Sequence, residues 1–155
     1  MDVTIERVGH PTDEIRELVV ELDRALAGPY RPEQHHALSF DQLFDENVLF
    51  FQARLGGAVV GCGGVAFYPG FAEVKRMFTR PEARRQGVAM AVLHHLETEA
   101  RSAGYLVLRL ETGIHQHESL ALYEHAGFER CEPFGDYRSL SPGAIETSVF
   151  FEKSI

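Results

Sequence analysis

Positive charge is scarce in this 155-residue chain: 15 Lys and Arg stand against 23 Asp and Glu, a formal net charge of -8. Affinity for a phosphate backbone depends on clustered basic residues, so a nucleic-acid partner is disfavoured. An acidic balance aids solubility and favours cationic partners such as amines. Cysteine is scarcer still. Cys62 and Cys131 are the two thiols, too few for a disulfide framework, and they read as reduced residues. No apolar run reaches the length of a membrane span, and Met1-Asp2-Val3-Thr4-Ile5-Glu6 lacks the basic and apolar regions of a signal peptide. A cytoplasmic location with no membrane partner is therefore expected. Internal repeats and low-complexity tracts are missing as well. What remains is one domain over residues 1–155, whose 45% hydrophobic content suffices for its own core.

What is present reads as alternating strands and helices. Val3 to Arg7 alternates like a half-buried strand, and Pro11-Thr12-Asp13 opens a helix with an apolar stripe of Ile15, Leu18, Val19, Leu22, Ala25 and Leu26 that stops at Gly28-Pro29. A polar connection follows, with a short helix expected over Phe40 to Phe44. Val48 to Arg54 and Ala58 to Tyr68 form a hairpin about Gly56-Gly57. Gly61-Cys62-Gly63-Gly64 lies inside a strand with no helix after it, so it marks a bulge or a close backbone approach, not a dinucleotide loop. Further strands are expected over Ala72 to Thr79, Leu106 to Leu110, Glu129 to Cys131 and Ser148 to Glu152. A long helix runs from Gly87 to near Gly104, and a shorter one from Glu118 to Ala126, stopped by Gly127.

The loop between the fourth strand and the long helix, Met77 to Met90, has the makings of a phosphate cradle. The first turn of a helix carries free N–H groups and the positive end of its dipole. Gly87 and Ala89 let an anion approach those amides, and Arg84 and Arg85 add charge. No Gly-Lys-Ser/Thr follows the glycine and no Gly-x-Gly-x-x-Gly opens the helix, which excludes two better-known phosphate loops. A plain strand-to-helix turn with basic surface residues explains the same stretch equally well.

Arg84-Arg85-Gln86-Gly87-Val88-Ala89 resembles the Arg/Gln-x-x-Gly-x-Gly/Ala signature of the GNAT superfamily of N-acetyltransferases. Leu122-Tyr123-Glu124-His125-Ala126-Gly127-Phe128 is similar to the family's second hallmark, Leu-Tyr-x-x-x-Gly-Phe. The resemblance covers Val3 to Glu152. It implies a single-domain α/β fold, a mixed central sheet splayed between strands 4 and 5 and flanked by about four helices, and an enzyme that transfers acetyl from acetyl-CoA to an amine with no covalent enzyme intermediate. Cofactor contacts would come from the backbone of Met77, Phe78 and Thr79 toward the pantetheine, with the amides near Met77 and Phe78 as oxyanion donors. Arg84, Arg85, Gln86, Gly87, Val88, Ala89 and Met90 would hold the pyrophosphate. Where many members have an Asn seven residues before the tyrosine, this chain has Gln116, whose longer arm offers the same amide; Ser119 is a second candidate on that helix.

In the same family Tyr123 occupies the place of the general acid toward the CoA sulfur, and a phenol with a pKa near ~10 arrives protonated. Two carboxylates occupy places used by the general base. Glu73 stands fourteen residues before Gly87, as in the resembling histone acetyltransferases, and Glu111 stands twelve residues before Tyr123, as in the ribosomal-protein acetyltransferases. Glu73 ranks slightly ahead; each has the alternative of pairing with a cation such as Lys75 or Arg109. The acceptor side would be lined by Tyr30, His35 and His36 from the connection after the first helix, and by Phe134 and Tyr137 from the loop before the last strand. A small-molecule amine is preferred as acceptor. A protein or peptide amine, or a CoA-binding sensor without turnover, are the alternatives. The eight histidines, including His115-x-His117 and His94-His95, lack partner ligands at zinc-site spacing, so no metal is expected. Homodimers are a habit of the family, and Val149-Phe150-Phe151 would suit a sheet edge, an interface or the core.

Overall fold

A computed structural model describes residues 2–155. In chain order the elements are β1 (Val3–Arg7), α1 (Asp13–Ala27), β2 (Val48–Leu55), β3 (Ala58–Tyr68), β4 (Phe71–Thr79), α2 (Val88–Ser102), β5 (Val107–Gly113), α3 (His117–His125), β6 (Glu129–Arg130), α4 (Pro142–Ile145) and β7 (Ser148–Ser154). The strands form one seven-stranded sheet in the order β1-β2-β3-β4-β5-β7-β6. Every neighbouring pair is antiparallel except β4 and β5, which run parallel and pair at Ala72–Leu108 and Glu73–Arg109 before separating. That separation is the expected splay.

Local chemistry sets the elements as anticipated. The Thr12 hydroxyl accepts from the Ile15 amide at 3.2 Å and caps α1, whose Ile15, Leu18, Val19 and Leu22 are buried. Gly56 and Gly57 turn the hairpin with φ of 60° and 86°. The glycine run in β3 serves close approach. A Cβ at Gly63 would sit 2.6 Å from Val92 Cγ1, and one at Gly61 2.9 Å from Val88 Cγ1, so these glycines let α2 lie directly on the sheet. The bulge opposite them belongs to β4. Cys62 pairs with Phe78 and Gly64 with Lys75, so Arg76 and Met77 together face Gly63. Arg76 takes φ 58°.

This bulge reverses the alternation of β4. Glu73 and Lys75 precede it on one face. After it, Phe78 packs into the α1 core, and Arg76 and Arg80 reach Asp23 and Glu21 of α1 at 2.7 and 2.8 Å. Val74 and Met77 point to the α2 side, where Val92, Leu93 and Leu96 form the main core with Leu108, Leu110 and Phe151.

One expectation needs correction. β5 runs to Gly113, not Leu110, because Glu111 and Thr112 continue the ladder with Phe150 and Val149, while Leu106 lies outside the strand and is 74% exposed. The short helix expected after α1 is present as a 3₁₀ turn over Asp41–Phe44. Of the settings left open for Val149-Phe150-Phe151 the structure shows the core: β7 lies between β5 and β6 and the three side chains are buried. Among the described residues no helix is long and apolar enough to cross a membrane.

Candidate active site

The splay opens a cavity of about 130 Å³ bordered by Met77 from β4, Glu111 from β5, Gln116, Ser119 and Tyr123 from α3, and Tyr30, His35 and His36 from the connection after α1. Tyr123 is buried, its ring set edgewise against Phe128 with centroids 5.8 Å apart. Burial, with the nearby Glu111 charge, raises its pKa well above that of an ordinary phenol, so the hydroxyl holds its proton throughout the neutral range.

Glu111 faces Tyr123 across this cavity. Its Oε2 accepts from the Ser148 hydroxyl at 2.6 Å. Burial pushes its pKa up. The Ser148 bond and the positive potential of His36 and Lys75 oppose that rise, and the Glu73 charge adds to it. Glu73 is placed differently. Tyr137 donates to its Oε2 at 2.7 Å and Lys75 Nζ lies 3.0 Å from the same oxygen; Lys75 also donates to the Tyr137 hydroxyl at 2.9 Å. This closed triad borders a second, larger cavity of about 930 Å³, which contains Phe134, Tyr137 and His36 and does not include Tyr123 or Glu111. Of the two carboxylates, Glu111 shares a cavity with Tyr123, and Glu73 is spent on an ion pair.

The loop before α2 keeps its amides free. The first bond of the helical ladder is Ala91 N to Gly87 O at 3.0 Å, so the N–H groups of Val88, Ala89 and Met90 precede it. Arg85 and Gly87 both take left-handed backbone conformations, with φ of 62° and 82°, a curl that gathers successive N–H groups on one side. Arg85, Gln86 and Gly87 are exposed and Ala89 is half-buried, whereas the Val88 side chain is in the core and offers its backbone alone. Arg84 turns back to donate to the Thr79 carbonyl at 3.1 Å, and Met90 is 38% exposed on the outer face of the turn. On β4, Thr79 and Phe78 pair with Gly61 and Cys62, and the opposite edge of the strand faces the splay.

Other expected residues meet the site less directly. The Gln116 Oε1 accepts from the Tyr30 hydroxyl at 3.1 Å, and that hydroxyl accepts in turn from the His115 amide at 3.0 Å. Tyr30 lies so close over Gly113 that a Cβ there would overlap its ring, so it closes the cavity at the end of β5. His35 Nε2 is 3.2 Å from the Tyr30 carbonyl and His36 Nε2 is 2.8 Å from the Ala144 carbonyl. Phe134 and Tyr137 pack with Phe150 and Phe71. Sequence reasoning misses Ser148 and Arg76: Ser148 reaches Glu111 by sheet register, and Arg76 is placed by a bulge that no glycine announces. Cys62 is enclosed and its thiol is pushed up to about 12 by burial, the opposite of an activated nucleophile. Among the described residues no group of three His, Cys, Asp or Glu side chains is placed to hold a metal ion.

The acetyltransferase (GNAT) family model matches residues 13–128. The chain belongs to this family. The GNAT domain is 40% identical over 156 residues to an IAA acetyltransferase of Azospirillum brasilense, a match spanning 99% of each chain. Among solved structures it is similar to a provisionally named acyl-CoA N-acyltransferase of Klebsiella pneumoniae, with a TM-score of 0.82, 33% identity and 98% and 97% of the two chains covered. A PaiA N-acetyltransferase of Thermoplasma acidophilum in complex with coenzyme A shares the fold at 19% identity, with a TM-score of 0.74 over the full length of both chains. This GNAT domain is accordingly an acetyltransferase, and its splay and free helix turn lie where the sequence hallmarks sit.

Proposed function

We propose that the domain transfers acetyl from acetyl-CoA directly to the primary amine of a small-molecule acceptor, with Glu111 as general base and Tyr123 as general acid. The observation that carries this reading is the meeting of Glu111 and Tyr123 in one cavity at the point where β4 and β5 part. The residues present suit the cofactor: the amides after Gly87 with the exposed Arg85 fit a pyrophosphate, and the unpaired edge of β4 past Glu73 fits an extended amide chain laid alongside it. Bound there, acetyl-CoA supplies an activated thioester carbonyl.

Glu111 takes the proton that the attacking ammonium must lose, and its raised pKa matches that task better than an ordinary carboxylate would. The backbone amide of Met77, turned away from β3 at the bulge because the Arg76 carbonyl faces Cys62, donates to the carbonyl oxygen as negative charge develops on it. Tyr123 then gives its proton to the departing sulfur. Glu73, paired with Lys75 and Tyr137, positions the wall between the two cavities and takes no part in proton transfer.

Calorimetric titration of acetyl-CoA into the wild type and into Gly87→Glu tests the cofactor half. The variant places a charge and a side chain on a residue at φ 82°, and saturable binding is expected in the wild type alone. A folded wild type that binds no acetyl-CoA would overturn the proposal. Thiol release with an amine panel then tests transfer.

A further inference from the structure

The reaction above leaves Arg76 unused. Its side chain is 5% exposed, and Nη1 donates to Asp23 Oδ1 at 2.7 Å. Nε is enclosed with no hydrogen-bond partner, alone in this among the buried side-chain atoms of the described residues. Its backbone stands at φ 58°, a conformation that a non-glycine residue keeps only where its surroundings impose it. An arginine whose Nη1 is taken keeps Nε and Nη2 on one edge, which matches the two oxygens of a carboxylate once the side chains enclosing Nε give way to it.

Its location narrows the ligand. Arg76 borders the cavity of Glu111 and Tyr123 together with Leu22 and Leu26 of α1. The turn suited to a pyrophosphate lies past the end of β4, and α2 packs on the opposite face of the sheet. Arg76 therefore serves the acceptor's side of the splay and not the cofactor's phosphates. The neighbouring cations are committed elsewhere: Lys75 to Glu73 and Tyr137, and Arg109 to Glu152 at 3.3 Å, its guanidinium over the Phe71 and Phe134 rings.

We infer that Arg76 binds the carboxylate of the acceptor, which makes the substrate class amino acids. This rests on the acetyltransferase reading above. Arg76 and Glu111 border one cavity, so an acceptor whose carboxylate sits at Arg76 and whose amine sits at Glu111 would be an amino acid with its two polar groups close together. His36 and Lys75 border both cavities, and a longer side chain would extend past them into the larger one.

The test is calorimetric titration of the CoA-loaded protein with matched pairs, alanine against ethylamine and phenylalanine against phenethylamine. The wild type is expected to bind the amino acid of each pair at least about tenfold more tightly, as a desolvated carboxylate–guanidinium contact implies. Arg76→Gln should abolish that preference and leave affinity for the plain amines within about twofold, since it removes one charged partner and nothing the amine touches. Equal wild-type binding of the two members of each pair overturns the inference, and so does an equal loss on both in Arg76→Gln. If circular dichroism shows that Arg76→Gln does not fold, Arg76→Lys, which keeps the charge but not the two-donor edge, is read in its place and should lose most of the preference. Absence of CoA binding would strike the acetyltransferase reading instead; the same titrations on the protein alone would still decide the role of Arg76.

Discussion

At the scale of one side chain, burial gives Glu111, the proposed general base, two measurable signatures. Its folded-state pKa lies above the unfolded value, so the native chain holds the protonated form more tightly. The stabilisation this brings is complete below the ordinary carboxylate range and is lost as pH rises through the raised folded-state value. A glutamine in its place would imitate the protonated acid and still accept from Ser148. Glu111→Gln should therefore melt at least as high as the wild type at neutral pH, with the difference vanishing in acid, while kcat falls by about 10²- to 10⁴-fold as a general base is removed. The wild-type rate should climb with pH along a limb above the ordinary carboxylate pKa. Ser148→Ala should move that limb higher by deleting the bond that favours the ionised form. Glu73→Gln separates the two carboxylates: it breaks the pair with Lys75 and should cost stability without matching the loss of rate. Thermal melts and thiol-release profiles across pH read all of these, and a Glu73→Gln rate as low as that of Glu111→Gln would reverse the assignment.

At the scale of elements, the contact of β3 with α2 is set by side chains that are missing. Gly63→Ala places a Cβ 2.6 Å from both Met77 Sδ and Val92 Cγ1. The thioether can swing aside, but the branched Val92 is fixed on its helix. Overpacking of this kind costs about 1–3 kcal/mol, readable as a lower urea midpoint with an unchanged slope. Because Met77 borders the splay, the same variant should raise the acceptor KM; an unchanged midpoint would mean that α2 lifts off freely. The glycine run also shows what the sequence could disclose. A cluster of glycines in a strand announces a close approach or a bulge somewhere, and the hallmark residues announced the turn at Gly87 and the place of Tyr123. Nothing in Glu73-Val74-Lys75-Arg76-Met77-Phe78 says that the extra residue lies in β4, because the left-handed position is filled by arginine. The polar end of β5 was likewise hidden. Glu111 and Thr112 break an apolar run, yet they extend the strand because β7 supplies their backbone partners. Lys75 was legible as a partner for Glu73, and the structure bears that pairing out; what stayed hidden is Tyr137, whose hydroxyl closes the triad from 64 positions away and leaves no local pattern.

Across the whole molecule, the sheet is two antiparallel blocks joined through Ala72–Leu108 and Glu73–Arg109, with α2 and the main core bridging them on one side. The edge of β4 beyond Glu73 faces a gap, where a strand interior would have a neighbouring strand. A ligand with an extended amide chain laid along that edge, its phosphates on the turn at Gly87, would contact both blocks and bind the native chain alone. At a concentration a hundredfold above Kd, such a ligand stabilises by about 2.7 kcal/mol. For a domain of this size that corresponds to a rise in Tm of about 5–10 °C. Acetyl-CoA should produce this shift in the wild type and none in Gly87→Glu. Hydrogen exchange should show where the stabilisation acts: amides of Val74 to Thr79 that point away from β3 should slow on binding, as should those of Val88 to Met90, while β1 and the β2–β3 hairpin change little. A Tm shift with protection confined to the Gly87 turn would mean that the phosphates alone anchor the cofactor, and the splay would then hold the acceptor without a pantetheine strand beside β4.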